Sequence, residues 1–336
     1  MPDEREFKAS APGKIYLIGE YSVLEGCPAF IAALDRGVEA TYRLGEKSEP
    51  EGELVSSAIT TASAYVTEGN IPFKEGSISL VNGLVDAEGH KIGLGSSGAI
   101  CAAVVHAILK AHSIEPSVSL LYRLASIAEA TIQPDGSFGD VAAAACGGFF
   151  EYSPIDSDWL GSHIATTPVR ALVESRWPTV TATRYPWPAN LHLLLGWTRE
   201  EASTSSLVKK FKVAKTKKKK EFQTFIDASN QAASMFRKAL DRGDSARICE
   251  AIRLSRDAVR AFSNAAEMSL YTKKLNKLVK LAERCGATAK PSGSWGGDCG
   301  YAICDSQEQI EAVCAEWEKA GIEPLRLEFA PAKFNI

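Results

Sequence analysis

Three glycines and two serines stand directly before a long apolar run in the first third of the chain. That run, Ala99 to Leu109, is typical of a buried helix. A Gly-rich turn at a helix start lets the backbone approach a ligand closely and directs free N–H groups at it. The helix dipole adds about half a positive charge there, so the site suits phosphate. The candidate phosphate-binding residues are Lys91, Gly93, Leu94, Gly95, Ser96, Ser97 and Gly98.

The spacing of this loop excludes two common phosphate-binding motifs. The chain has no Gly-x-x-x-x-Gly-Lys-Ser/Thr P-loop. The glycines also lack the acidic residue that follows a dinucleotide-binding fingerprint. Taken alone, the loop fits a tight turn as well as a phosphate cradle.

Other segments with turn residues and reactive side chains lie far from this loop in sequence. APGKIYLIGEYSVL spans residues 11–24, and SGSWGGDCG spans residues 292–300 before a short apolar run. DGSFGD occupies residues 135–140, and Gly-Trp-Thr occupies residues 196–198. Their order and separations narrow the possible functions much further than any one of them does.

Together these segments resemble the motifs of the GHMP kinase superfamily, and within it they are most similar to the phosphomevalonate kinases. The likeness runs from about residue 8 to about residue 328. It implies an α+β fold: a domain like ribosomal protein S5 domain 2 over residues 1–165, a ferredoxin-like domain over 166–336, and a site between them. It also implies transfer of a phosphoryl group from ATP, with Mg²⁺, to the phosphate of phosphomevalonate, on the mevalonate route to isoprenoids.

The resemblance assigns catalysis to Lys14 and Asp140, and metal binding to Ser97 and Asp140. Without it, Lys14 reads as a solvated strand end, and Ser97 and Asp140 read as helix caps. A carboxylate base helps an alcohol acceptor lose its proton. A phosphate monoester has a second pKa of about 6 and is already ionised at neutral pH. For such an acceptor we expect Asp140 to hold Mg²⁺ or position Lys14.

The resemblance also implies a set of acceptor-binding residues, and several of them have simpler explanations. The Ser/Thr cluster at 202–206 is equally typical of a helix cap, and Trp295 departs from the small residue that the family has at this point. Eight lysines between 209 and 220 indicate a solvated face or a basic lid. The predicted substrate-binding residues are Tyr21, Ser137, Thr204, Ser205, Ser294, Gly296 and Gly297.

Composition limits the partners. The 336 residues carry a net charge of −3, with 45% hydrophobic and 24% charged residues, which favours a globular protein and gives no reason to expect nucleic acid or membrane binding. Eight scattered cysteines without a Cys-x-x-Cys pair, and a charged start without an apolar core, predict a cytoplasmic protein. We expect a monomer or a homodimer. Two alternatives to the phosphate acceptor remain at this stage: a GHMP kinase acting on an alcohol, and a catalytically silent nucleotide sensor.

Periodicity and turn residues predict the elements that position these side chains. Five prolines in residues 153–190 indicate a crossover between domains. We predict strands and hairpins over 8–45 and strands at 149–152, 191–195, 287–289, 301–304 and 325–329. We predict helices at 53–68, 97–112, 117–132, 140–146, 203–216, 221–241, 244–262, 269–284 and 306–320.

Overall fold

Two antiparallel sheets with helices packed on them make up the protein, which a computed structural model describes over residues 5–46, 49–334 and 336. The charged segment 1–10 therefore lies partly outside the described residues. The strands are β1 (Glu6–Ile18), β2 (Ala29–Leu44), β3 (Gly76–Asn82), β4 (Phe149–Ser153), β5 (Thr181–Arg184), β6 (His192–Trp197), β7 (Thr288–Pro291), β8 (Cys299–Cys304) and β9 (Glu323–Leu325). The helices are α1 (Glu53–Glu68), α2 (Ser96–Ala111), α3 (Val118–Ile132), α4 (Gly139–Cys146), α5 (Ser157–Ile164), α6 (Val169–Glu174), α7 (Thr204–Lys217), α8 (Lys219–Arg242), α9 (Ser245–Ala265), α10 (Lys273–Arg284) and α11 (Gln307–Lys319).

The first sheet is built around β2, which pairs with β1, β3 and β4, while β5 extends the sheet beyond β4. The first half of β2, Ala29 to Leu34, is fully buried, so it reads as a continuous apolar run rather than an alternating one. Helix α2 packs on β1 and β2 and is enclosed by α1, α3 and α4. Because α2 has neighbours on all sides, it is apolar nearly all round, and its N-terminus is held rigidly.

The second sheet has the order β7-β8-β6-β9, which is the strand order of a ferredoxin-like βαββαβ unit. Leu278 of α10 and Val313 and Trp317 of α11 form its buried core. Helices α8 and α9 pack against each other beside this unit. The described part of the chain has no helix that combines the length and apolarity needed to cross a membrane.

The α+β prediction and most predicted helices and strands are confirmed, and the errors lie in short or edge elements. Residues 153–190 are more than a crossover, because they form α5, α6 and β5. Strand β3 was not predicted. The last strand ends at Leu325, and Phe329 forms only a single bridge to Leu34.

The helix predicted from residue 269 begins at Lys273 because Thr272 caps it. The domain boundary at 165/166 stays a prediction. The pairing of β5 with β4 favours a boundary after Arg184, since β5 belongs to the first sheet.

Candidate active site

A cavity of about 580 Å³ lies where the two sheets meet. Its walls come from β1, the N-termini of α2 and α4, the start of α7 and the Gly-rich segment before β8. Segments separated by almost the whole chain thus converge on one place. The predicted site residues that line the cavity are Lys14, Tyr21, Lys91, Gly93, Gly95, Ser96, Ser97, Ser137, Asp140, Thr204, Ser205 and Ser294.

The phosphate-binding loop is a tight turn whose backbone requires glycine at two points. Gly93 and Gly95 have φ angles of +87° and +77°, and Gly95 is the N-cap of α2. Leu94 is buried away from the cavity, and its carbonyl accepts a 2.8 Å hydrogen bond from the Lys14 N–H. The loop is therefore tied to β1, and the N-terminus of α2 faces the cavity.

Lys14 is a nearly buried cation at the centre of the site. Its side chain is 9% exposed, and its Nζ lies 3.5 Å from the Gly93 carbonyl oxygen and 5.4 Å from the centroid of the Tyr16 ring. No carboxylate among the described residues forms an ion pair with it. A desolvated ammonium without an anionic partner is available to a negatively charged ligand.

Asp140 lies in the first turn of α4 and touches the phosphate-binding loop. Its Oδ2 accepts a 3.2 Å hydrogen bond from the Gly98 N–H. Gly98 lies behind the cavity wall, and a Cβ there would lie 2.5 Å from the Val141 nitrogen, so glycine lets α2 and α4 meet at their N-termini. Asp140 is thus held at two helix N-termini, where a negative charge is favourable.

Glu129 of α3 is a site residue that the sequence did not reveal. It lines the cavity, is 4% exposed, and its Oε2 has no hydrogen-bond partner among the described residues. Burial, and next the negative charge of Asp140, hold the pKa of this carboxyl well above its usual range. No local signal in the sequence marks Glu129, because α3 also carries Arg123 and Thr131 and only tertiary packing buries this carboxyl.

The oxygen atoms of Glu129, Asp140 and Ser97 form a donor set suited to a hard divalent cation. The orphaned Glu129 oxygen and the adjacent Asp140 carboxylate are better satisfied by a bound cation than by each other. The Ser97 hydroxyl has one weak neighbour, the Gln133 amide, at 3.5 Å. The residues present therefore fit Mg²⁺.

Hydroxyl groups of both domains line a further part of the cavity. The Tyr21 hydroxyl donates a 2.5 Å hydrogen bond to the Ser294 carbonyl, and its ring lies 5.0 Å from that of Phe211 on α7. Ser203 caps α7, so the cap interpretation is correct for Ser203. Thr204 and Ser205 follow the cap and line the cavity, and their predicted role in substrate binding stays a prediction.

The third Gly-rich segment holds Trp295 and the two predicted substrate-binding glycines, Gly296 and Gly297, and none of the three lines the cavity. Trp295 does not line the cavity: it is fully buried, with its ring 5.7 Å from that of Tyr271, and its backbone has a φ of +57°. Gly296 and Gly297 lie outside the cavity that the described residues form. The N–H of Gly296 donates a hydrogen bond to the Leu270 carbonyl, and a Cβ on Gly297 would lie 2.5 Å from the backbone carbonyl oxygen of Glu200. These two glycines shape the loop.

Asp298 is a second site residue missed from the sequence. It lines the cavity, is 6% exposed, and accepts a 3.1 Å hydrogen bond from the Ala202 N–H. A Cβ on Gly93 would lie 2.4 Å from the Asp298 Cβ, so this carboxyl lies against the phosphate-binding loop. Burial raises the pKa of Asp298 to about 6.

The lysine-rich segment contributes one residue to the cavity wall, Lys209. Lys212 and Lys215 of α7 form ion pairs with Asp135 and Glu25. Lys217 to Lys220 lie at the junction of α7 and α8, outside the wall that the described residues form. Their position supports the solvated-face interpretation for those four.

We predict that Asp298→Asn stabilises the protein above pH 6. The pKa of Asp298 rises from 3.8 to about 6 on folding, so the folded protein binds this proton more tightly than the unfolded chain. The tighter proton binding of Asp298 in the folded state adds to the free energy of unfolding below pH 4, and this stabilisation is lost as the pH rises through 6. Denaturant titrations measure the free energy of unfolding of the variant minus that of the parent. We expect this difference to increase by about 2 kcal/mol from pH 4.5 to pH 8. Exposed Asp305→Asn is the control, and an equal gain at both pH values would contradict the assignment.

We predict that Gly95→Val weakens ATP binding about tenfold or more and also lowers kcat. A side chain there opposes the positive φ, and its Cβ would lie 2.8 Å from Lys14 Cγ and 2.9 Å from Asp140 Cβ. Calorimetry with a non-hydrolysable ATP analogue measures the first effect. Gly161→Val, where a Cβ meets open space, is the matched control. Unchanged analogue affinity in Gly95→Val would remove the loop from the nucleotide site.

Two protein-family models match this chain. Residues 52–148 match the model of the GHMP kinases N terminal domain, and residues 236–323 match the model named GHMP kinases C terminal. The first span holds the phosphate-binding loop and α4, and the second runs from within α8 to the start of β9, so it holds β7, β8, α10 and α11 of the second sheet's unit. The fold and the site together define a GHMP kinase.

Whole-chain relatives narrow this class. A phosphomevalonate kinase of Streptomyces sp. (strain CL190) is 31% identical over 363 residues, covering 96% of this chain and 97% of that protein. A Thermococcus onnurineus mevalonate kinase is 24% identical, with 91% of each chain covered. The Streptococcus pneumoniae phosphomevalonate kinase, solved in complex with phosphomevalonate and AMPPNP, superposes with a TM-score of 0.87 at 25% identity, over 96% of this chain and 99% of that one. The chain belongs to the phosphomevalonate kinase family.

Proposed function

We propose that the protein transfers the γ-phosphoryl group of ATP to the phosphate of (R)-5-phosphomevalonate, giving 5-diphosphomevalonate and ADP. The observation that carries the proposal is the meeting of Lys14 and Asp140 at Gly95, the N-cap of α2. A relative with this activity in its name matches 96% of the chain. The product belongs to the mevalonate route to isoprenoids.

ATP binds with its phosphates on the loop of residues 93–98. The N-terminus of α2 supplies backbone donors and the positive end of a helix dipole. Lys91 at the start of the loop is exposed and lines the cavity, so it is placed to meet the phosphates from the solvent side.

Lys14 stabilises the charge that accumulates on the transferred group. In the reaction an oxygen of the acceptor phosphate bonds to the γ-phosphorus, and the bond from that phosphorus to the β–γ bridging oxygen breaks. Such a transfer leaves the protein little covalent work, so catalysis depends on position and on fixed charge. The buried ammonium of Lys14, which forms no ion pair with the carboxylates that the structure describes, provides that charge without reorganising.

Ser97, Glu129 and Asp140 would hold Mg²⁺, which neutralises phosphate oxygens when bound. This set enlarges the predicted pair Ser97 and Asp140 by the buried Glu129. Asp140 also orders the site directly, because it accepts the Gly98 N–H and a Cβ on Gly95 would lie between it and Lys14. A phosphate acceptor is ionised at neutral pH and needs no protein base, so we assign Asp140 to metal binding and to positioning Lys14.

The acceptor is held by hydroxyl groups from both domains that line the cavity. Ser137 lies three residues before Asp140, while Thr204, Ser205 and the Ser294 segment face it from the second domain. Lys209 supplies a further cation on this wall. The negative charge of a phosphate-bearing acceptor is attracted by this cation and accepts hydrogen bonds from the hydroxyl groups, whereas a neutral sugar has no charge to be attracted.

An ADP-release assay with the purified protein tests the proposal. Phosphomevalonate, mevalonate and several sugars are offered separately with ATP and Mg²⁺. We expect phosphomevalonate to exceed every other acceptor in kcat/KM by orders of magnitude. Preference for mevalonate or a sugar would overturn the proposed substrate, and no turnover with any of them would favour a silent nucleotide sensor.

A further inference from the structure

Tyr16 joins the two halves of the reaction centre. Its ring lies under the Lys14 ammonium, 5.4 Å from ring centroid to Nζ, and its hydroxyl shares a 2.9 Å hydrogen bond with the Ser137 hydroxyl. It is 6% exposed and lines the cavity. One side chain of β1 therefore touches both the proposed catalytic cation and a proposed acceptor-binding residue.

The segment around Ser137 is fixed from behind by two more buried tyrosines. The Tyr152 hydroxyl donates a 2.8 Å hydrogen bond to the Ser137 carbonyl. Since a phenol has one proton to donate, the 2.9 Å contact between the hydroxyls of Tyr122 and Tyr152 must be donated by Tyr122. The Ser137 backbone is thus held independently of Tyr16, which leaves Tyr16 to set the direction of the Ser137 hydroxyl.

We propose that Tyr16 is a positioning residue that fixes Ser137 as a hydrogen-bond donor to the acceptor's phosphate and supports Lys14 with its ring. This inference rests on the proposed function. A dianionic phosphate can only accept hydrogen bonds, so the Ser137 O–H must point at it. Its oxygen is then free to accept the Tyr16 proton. An alcohol acceptor both donates and accepts hydrogen bonds, so it would not require the Ser137 hydroxyl to donate to it or the Tyr16 hydroxyl to donate to Ser137.

The space around Tyr16 fits this role. A Cβ on Gly139 would lie 2.0 Å from the Tyr16 hydroxyl oxygen, so glycine at the start of α4 makes room for that hydroxyl beside Ser137. Burial raises the pKa of Tyr16 above its ordinary value and keeps the hydroxyl protonated as a donor.

Two substitutions test the inference: Tyr16→Phe removes only the hydroxyl of Tyr16, and Tyr16→Leu removes its ring as well. In Tyr16→Phe we expect the KM for phosphomevalonate to rise about 3- to 10-fold, the value of one hydrogen bond, with kcat and the KM for ATP within about twofold of the parent. In Tyr16→Leu we expect kcat to fall as well, by about 3- to 30-fold, because Lys14 loses the ring. Tyr301→Phe, which removes a buried hydroxyl bonded to the Leu17 carbonyl of the same strand, controls for loss of stability.

A double-mutant cycle identifies the partner. If Tyr16 acts through the Ser137 hydroxyl, Tyr16→Phe in a Ser137→Ala background should change the KM for phosphomevalonate by less than about twofold. Additive effects, an unchanged KM in Tyr16→Phe, or equal losses of kcat in the Phe and Leu variants would overturn the inference. If Tyr16→Leu does not fold, the Phe variant and the cycle decide the question. A parent that does not turn over phosphomevalonate would instead refute the proposed function.

Discussion

Lys14→Met is expected to lower kcat about 10²- to 10³-fold while the protein keeps its fold and its affinity for ATP. Methionine preserves the length and apolar packing of the side chain and removes the charge. The backbone bond from residue 14 to the Leu94 carbonyl is unaffected, so the phosphate-binding loop keeps its place. Since the lost interaction is strongest when charge gathers on the transferred group, the effect falls on kcat rather than on KM.

Steady-state kinetics with both substrates varied measures this effect. Lys91→Met is the matched control, because Lys91 also lines the cavity but is exposed. We expect it to raise the KM for ATP and to leave kcat close to the parent's. A Lys14→Met enzyme with kcat within about threefold of the parent would show that Lys14 is not the stabilising cation.

Asp140→Asn is expected to lower kcat about 10²-fold or more without changing the shape of the pH profile on the acid side. The substitution removes a charge beside Lys14 and Glu129 and weakens the proposed metal site. The acid limb of kcat/KM follows the second ionisation of the acceptor phosphate, at a pKa of about 6, and the substrate brings that pKa with it. Profiles of the parent and the variant at saturating ATP should therefore bend at the same pH.

Asp298 needs its own control in this experiment, because burial raises the pKa of its carboxyl to about 6 as well. Asp298→Asn should retain the acid limb if the limb belongs to the acceptor. Loss of the limb in Asp140→Asn would make Asp140 a general base and favour an alcohol acceptor.

The glycines of the phosphate-binding loop were predictable because their signal is local: Gly93 and Gly95 have the positive φ that a Gly-rich turn before a helix suggests. Lys14 and Asp140 were predicted from the resemblance of whole segments to a family, because their local sequence fits a strand end and a helix cap equally well. The long helices were also predictable from local sequence, because apolar residues recur at helical spacing along the face that each helix buries.

Glu129 and Asp298 escaped prediction because their significance comes from burial. Each is an ordinary acidic residue in sequence, and only tertiary packing turns it into a desolvated carboxyl facing the cavity. The burial of Trp295 could not be predicted for the same reason, because it depends on tertiary packing that brings the indole to 5.7 Å from the ring of Tyr271. Strand β5 is four residues long and mostly exposed, so it carries no alternation and forms because the edge of β4 is available.

The measurement that tests the account most directly is phosphorus NMR of the product formed from phosphomevalonate and ATP. Phosphomevalonate has both a phosphate and a free hydroxyl, so consumption of ATP alone does not say which oxygen receives the group. Transfer to the phosphate predicts two new signals that split each other, as expected for phosphorus atoms joined through one oxygen, appearing together with ADP. A product with two unsplit monoester signals would place the new group on the hydroxyl and contradict the proposed reaction.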